Sequence, residues 1–265
     1  MLLAIDVGNT NTVFAVFDEE AMRGQWRAAT DAQRTADEHA VWFSQLMARE
    51  TLDLNNIDHV VLSTVVPQCL AALKTLCEQY CGCSPMVVGD PNVTLGIDVH
   101  VAQPGEVGAD RLVNAVGAQK HYTGPLIIID FGTATTFDAI NEDGSYEGGI
   151  IAPGINLSLE SLHKAAAQLP LIAVSRPEQV IAKSTVPAMQ SGIYWGYIGL
   201  IEGIVQRMKN EYSQPMHVVA TGGLAKLFSD GTPIIDDFDP DLIDADKRVN
   251  HVIALPVGRT HYSRA

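Results

Sequence analysis

Two stretches of the chain carry the same chemistry-bearing residues at the same spacing. In "LLAIDVGNTNTVFAVF", residues 2–17, and "LIIIDFGTATTFDAI", residues 126–140, Leu2 aligns with Leu126, Ile5 with Ile129, Asp6 with Asp130, Gly8 with Gly132 and Thr12 with Thr136. Each unit reads as an apolar strand, a turn built on Asp-x-Gly and hydroxyl or amide residues, and a second apolar strand. Gly8 and Gly132 would let the backbone come close to a ligand and take positive φ. Turn N–H groups and threonine hydroxyls then form a cluster of donors suited to phosphate oxygens. The Asp cannot hold phosphate, but it can hold Mg²⁺ directly or through water. A single Asp-x-Gly-x-Thr is most often an ordinary β-turn. Its recurrence at matching strand positions points instead to two turns facing each other across a cleft, with one polyphosphate between them.

Two further stretches fit that chemistry. In "EVGADRLVNA", residues 106–115, Asp110 falls at the start of a helix, where the macrodipole favours the ionised carboxylate and leaves it able to accept a hydroxyl proton. The competing reading is an N-cap or a surface pair with Arg111. In "ATGGLA", residues 220–225, Gly222-Gly223 would let a flat ring such as adenine lie on the backbone; a tight strand-to-helix connection explains the pair equally well. Cys69, Cys77, Cys81 and Cys83 crowd together without paired C-x2-C modules, so reduced thiols are expected rather than a metal site or a disulfide.

The elements that must position these residues alternate between strand and helix. Thr35-Ala-Asp-Glu38 is a capping box that starts a helix over 36–49. A strand is expected at 59–66, a helix at 68–80, a strand at 85–89 and a helix through 109–121 that stops near Gly124-Pro125. After the second hairpin come a strand and Gly-rich turn at 146–154, a helix over 156–167, a long helix from 188 to 212 and a strand at 217–223. The pattern is α/β, in two lobes, 1–122 and 123–265. Gly192, Gly196, Gly199 and Gly203 share one face of the long helix. Each weakens a helix by about 1 kcal/mol, so a close approach is expected there, either of a sheet or of the same helix in a second subunit.

Bulk properties narrow the class. With 265 residues and 47% hydrophobic composition the chain can bury real cores. A formal net charge of -14 and no Lys/Arg-rich run argue against nucleic acid as a partner. The apolar runs are too short for a membrane span and the N-terminus lacks a signal-peptide pattern, so a cytoplasmic location is expected.

In order along the chain, "DVGNTNT", "EVGADRLVNA", "DFGTATTFD", "GGIIAPG", "AMQSGIYWGYIGLIEGIV" and "ATGGLA" closely resemble type III pantothenate kinase, over roughly residues 1–242. The resemblance implies the actin, Hsp70 and sugar-kinase superfold, with duplicated ribonuclease-H-like lobes and the active site in the cleft between them. It implies ATP-dependent phosphorylation of pantothenate, the first step toward coenzyme A, by a homodimer. Carried over by motif, Asp6, Val7, Gly8, Asn9, Thr10, Asn11, Thr12 and Val13 would form the first phosphate loop, with Asp6 near Mg²⁺. Asp110 would be the general base, Gly108, Ala109, Asp110 and Arg111 would contact pantothenate together with Thr185, and Thr133 would contact ATP. Asp130 would hold K⁺ or NH₄⁺, and Gly222 and Gly223 would lie at the adenosine.

Two departures stand out. Val101 replaces a family tyrosine five residues before Glu106, which predicts altered or weaker pantothenate binding. The tail, 243–265, contains Pro256 and Gly258 in place of an amphipathic helix, which predicts a shortened, loosely ordered end. The rival readings are another small-molecule, sugar-type kinase of the superfold and a regulatory relative acting as a transcription accessory factor.

Overall fold

The computed structural model describes residues 1–19, 21–166, 169–212, 214–240 and 242. The described residues divide into two compact units, one formed by Met1–Ile97 and Gly105–Gly117, the other by Asp98–Pro104 and 118–242. The tail over 243–265 lies outside the described residues.

The first unit is a five-stranded sheet. Its strands are β1 (Leu2–Val7), β2 (Asn11–Asp18), β3 (Ala21–Ala29), β4 (His59–Thr64) and β5 (Met86–Val87), in the order β3-β2-β1-β4-β5. β1 pairs antiparallel with β2 and parallel with β4. α1 (Ala36–Arg49) lies between β3 and β4 in the chain, and α2 (Pro67–Leu76) between β4 and β5. Alternation along β1 sends Leu3, Ile5 and Val7 to one face, where they pack with Phe14, Phe43 and Leu73 of β2 and the two helices. Leu2 and Ala4 go to the other face, which is covered by Ala109 and Val113 of α3 (Ala109–His121).

The second unit repeats the plan with β6 (Leu126–Phe131), β7 (Ala134–Ile140), β8 (Tyr146–Pro153), β9 (His217–Gly222) and β10 (Asp237–Phe238). Its order, β10-β9-β6-β7-β8, is the first order read from the opposite edge with each strand advanced by five. Three helices complete it: α4 (Ile155–Ala165), α5 (Thr185–Tyr212) and α6 (Ala225–Ser229). Tyr194, Tyr197 and Ile201 of α5 and Phe228 of α6 pack on Ile127, Ile129 and Phe131.

The α/β architecture and the duplicated sheets match the sequence reading. The capping box is present, with Glu38 N–H donating to Thr35 Oγ1 and the Glu38 carboxylate accepting from Thr35 N. Several boundaries move. The helix expected over 68–80 ends at Leu76 and passes into a π-turn at Cys77–Cys81. The long helix begins at Thr185, three residues earlier than expected. β3 was not foreseen, because it is an edge strand with alternating exposed and half-buried residues and so shows no apolar run.

The glycine face of α5 removes one of the two alternatives expected for it. At Gly192, Gly196 and Gly199 an added Cβ would meet nothing within 4 Å, so these glycines do not pack on a sheet. The cysteines are all free thiols; burial pushes the Cys77 thiol well up and the Cys81 thiol to about 12, which makes them inert. Among the described residues no group of three or more His, Cys, Asp or Glu is placed to hold a metal, and no helix is long and apolar enough to cross a membrane.

Candidate active site

The two Asp-x-Gly turns occupy the same place in their sheets. Asp6 and Asp130 each stand one residue before the end of the central strand. Across the parallel pairing Asp6 faces Ser63, and Asp130 faces Thr221, so both aspartates have a buried hydroxyl residue beside them. Sequence inspection passed over Ser63 and Thr221, because their meaning depends on which strands lie side by side.

The turns differ by one residue. Val7 pairs with Thr12 around Gly8–Asn11, whereas Phe131 pairs with Thr135 around the shorter Gly132–Ala134. The structural counterpart of Thr12 is therefore Thr135, and the ungapped match to Thr136 is off by one. Neither Gly8 nor Gly132 has positive φ. Small size serves a close turn at Gly8, where an added Cβ would stand 3.3 Å from Asn11 O; at Gly132 it would make an ordinary contact, 3.4 Å from Ala134 O.

Side-chain contacts in the first turn run inward. Thr30, just past β3, donates from Oγ1 to Gly8 O at 2.7 Å, and its Oγ1 lies 3.0 Å from Thr12 Oγ1. Thr30 N also donates to Thr10 O at 2.9 Å. Val7 and Thr12 are buried, Gly8 and Val13 half-buried, and Asn9, Thr10 and Asn11 form the exposed tip. Thr133 is likewise exposed at the tip of the second turn. That turn closes directly on Gly154, where a Cβ would come within 2.1 Å of Thr133 O. Tyr197 supports it from α5, its hydroxyl meeting Thr135 Oγ1 and donating to Pro153 O at 3.0 Å.

Electrostatics single out Asp6. Alternation along β1 places it on the α3 face of the sheet, and α3 begins with Ala109-Asp110. Loss of water around the Asp6 carboxyl, together with repulsion from Asp110, pushes it up from 3.8 to about 6, even though the Ser63 hydroxyl pulls the other way. Asp110 lies in the first turn of α3, and its Oδ1 accepts the Arg111 backbone N–H at 2.8 Å. A Cβ on Gly108 would stand 2.6 Å from that same oxygen, so glycine there gives the carboxylate its room. Two neighbouring carboxylates suit a hard divalent cation. With no third candidate ligand among the described residues, water and phosphate oxygens would have to complete the shell, as is usual for Mg²⁺.

In the second unit, Gly222 has φ +93 and sits hard against Asp130 Oδ1 and the Phe131 backbone, so the Gly222 position is fixed by packing. The adjacent Gly223 faces open space. Thr185, at the start of α5, lines an open apolar groove of about 630 Å³ with Leu162, Leu169, Met189 and Ile193. Val101 lies near Gly148, whose added Cβ would stand 3.7 Å from Val101 Cγ1.

Comparisons with known proteins identify the family. The model of the type III pantothenate kinase family matches residues 2–207. A type III pantothenate kinase of Paramagnetospirillum magneticum is 60% identical over 242 residues, covering 91% of this chain and 93% of that protein. The Rhodospirillum rubrum enzyme of the same name is also 60% identical, covering 91% and 94%. A solved structure from Sinorhizobium meliloti, named as a candidate 2-dehydro-3-deoxygalactonokinase, superposes with a TM-score of 0.60 over 100% of both chains at 13% identity, a likeness of fold alone. A matching family model and 60% identity along most of the chain leave one assignment: the chain belongs to the type III pantothenate kinase family.

Proposed function

We propose that this protein transfers the γ-phosphoryl group of ATP to the primary hydroxyl of pantothenate, giving 4′-phosphopantothenate and ADP, in the cytoplasm. The observation that carries the reading is the buried Asp6 carboxyl at the strand end before the first turn, near enough to Asp110 to be repelled by its charge, in a chain of this family. Phosphoryl transfer asks the protein mainly for in-line positioning and neutralised oxygens. The residues from Asp6 to Val13 present the turn to the phosphates, and Thr133 contributes a second hydroxyl to ATP. Gly222-Gly223 lie on the adenosine side.

Asp110 acts as general base. Its carboxylate is anchored at one oxygen by the Arg111 N–H and takes the proton from the pantothenate hydroxyl as the new P–O bond forms and the bond to ADP breaks. Gly108, Ala109, Arg111 and Thr185 hold pantothenate. Asp6 would hold Mg²⁺, which neutralises phosphate charge when bound. Asp130, with the Phe131 carbonyl close by, offers the oxygen donors a monovalent cation takes, K⁺ or NH₄⁺. The open glycine face of α5 supports a homodimer, since three helix-weakening residues, Gly192, Gly196 and Gly199, have no neighbour within 4 Å of an added Cβ.

The test is product identification. Mg-ATP and pantothenate should yield a new phosphomonoester resonance in ³¹P NMR, faster in K⁺ than in Na⁺. ATP consumption without that resonance, or an equal rate with a hexose as acceptor, would refute the assignment.

A further inference from the structure

We infer that Thr30 is a positioning residue for phosphoryl transfer: it aims the backbone N–H donors of the first turn. The inference rests on the reading of Gly8–Asn11 as a phosphate turn. Thr30 touches that turn three times, through Gly8 O at 2.7 Å, Thr12 Oγ1 at 3.0 Å and Thr10 O at 2.9 Å. A hydroxyl has one proton, and that of Thr30 goes to the Gly8 carbonyl. At the Thr12–Thr30 contact Thr12 must therefore be the donor. The chain of bonds runs from the Thr12 hydroxyl to Thr30 and on to Gly8 O, and the Thr12 proton is committed inward.

Peptide planarity turns these contacts into an orientation. In a trans peptide the C=O of one residue and the N–H of the next point in opposite directions. With Gly8 O drawn toward Thr30, the N–H of Asn9 points away from it. With Thr10 O bonded to Thr30 N, the N–H of Asn11 also points away from β3. One residue thus fixes two donors, the N–H groups of Asn9 and Asn11, at the exposed tip, the kind of array that binds phosphate oxygens.

The second unit supports the assignment by contrast. Asn11 pairs with Ala29, and Ala134 with Pro153, so the position after the third strand is Thr30 in one unit and Gly154 in the other. At Gly154 the carbonyls of Gly132 and Thr133 leave no room for a Cβ. The same sheet position holds each turn, by a hydroxyl in the first unit and by direct backbone closure in the second.

The experiment compares Thr30→Val, Thr30→Ser and Asn9→Pro in steady-state kinetics with each substrate varied, after a thermal melt confirms folding. Thr30→Val, which keeps the shape and removes the hydroxyl, should lower kcat/KM for ATP about 10- to 100-fold. The KM for pantothenate should stay within about twofold. Thr30→Ser should recover most of the loss. Should Thr30→Val fail to fold, Thr30→Ala carries the same comparison. An unchanged ATP dependence in Thr30→Val, an equal loss for both substrates, or no recovery with Ser would overturn the proposal. Asn9→Pro deletes one of the aimed donors. A loss there with Thr30→Val unaffected would overturn the role of Thr30 alone; no loss in either would overturn the phosphate-turn reading as well.

Discussion

Replacing Asp6 by Asn should make the metal-free protein more stable while disabling it as a kinase. The carboxyl of Asp6 is raised from 3.8 to about 6, chiefly because folding strips water from it and secondarily because Asp110 repels it. A raised acid binds its proton more tightly in the folded than in the unfolded chain, so stability is greatest below the unfolded value and falls as pH rises from 3.8 toward 6. At about 1.4 kcal/mol per pH unit, the ionised carboxylate costs the fold about 3 kcal/mol at pH 7. Asn keeps the shape without the charge, so Asp6→Asn should gain about that much at pH 7 and under 1 kcal/mol at pH 4. In a chain of this size 3 kcal/mol corresponds to a rise in melting temperature of roughly 6–12 °C. The assay is differential scanning fluorimetry of wild type and variant with EDTA, at pH 4, 5, 6 and 7. A variant no more stable than wild type at pH 7, or a gain that does not shrink toward pH 4, would refute the reasoning.

Three other outcomes follow from the same structure. His39 is buried against Phe14, with ring centres 5.8 Å apart, and burial with Arg34 nearby holds it down to about 4. Its contribution is complete above the ordinary 6.5 and lost as pH falls toward 4, so His39→Gln should remove up to about 3 kcal/mol of the acid-side decline measured by urea unfolding at pH 7 and pH 4.5. Gly154→Ala drives a methyl to within 2.1 Å of Thr133 O and must move the second turn, so kcat/KM for ATP should fall at least about tenfold in steady-state assays; the open position Gly223 should accept Ala without loss of thermal stability. Gly196→Leu, on the open face of α5, should abolish the proposed homodimer in sedimentation velocity without lowering the helix signal in circular dichroism.

How much of this was legible in the residues depends on whether the signal was local. The duplicated Asp-x-Gly turns, the Thr35 capping box and the start of α3 each sit within a few consecutive residues, and the structure places them as read. Thr30 and Ser63 were illegible because their roles arise from strand pairing: Thr30 matters through the β2–β3 register, and Ser63 through its place beside Asp6. β3 itself has too few buried residues to leave a periodic trace. The missing residue in the second turn could not be seen either, since an ungapped match of Thr12 to Thr136 scores well on identity and only the pairing of Phe131 with Thr135 exposes the shift. Gly8 and Gly132 show the limit of residue-type rules, for neither has a left-handed backbone and only Gly8 sits where an added Cβ would be tight.

The central claim is that Asp110 removes the acceptor proton in a pantothenate-dependent transfer from ATP. The direct measurement is single-turnover ADP formation with enzyme in excess over ATP, with and without pantothenate, for wild type and Asp110→Asn. The account predicts a pantothenate-dependent burst in the wild type that slows by 10²–10⁴-fold in the variant, with ATP binding retained. A burst of equal rate in Asp110→Asn, or ADP formation indifferent to pantothenate, would contradict it.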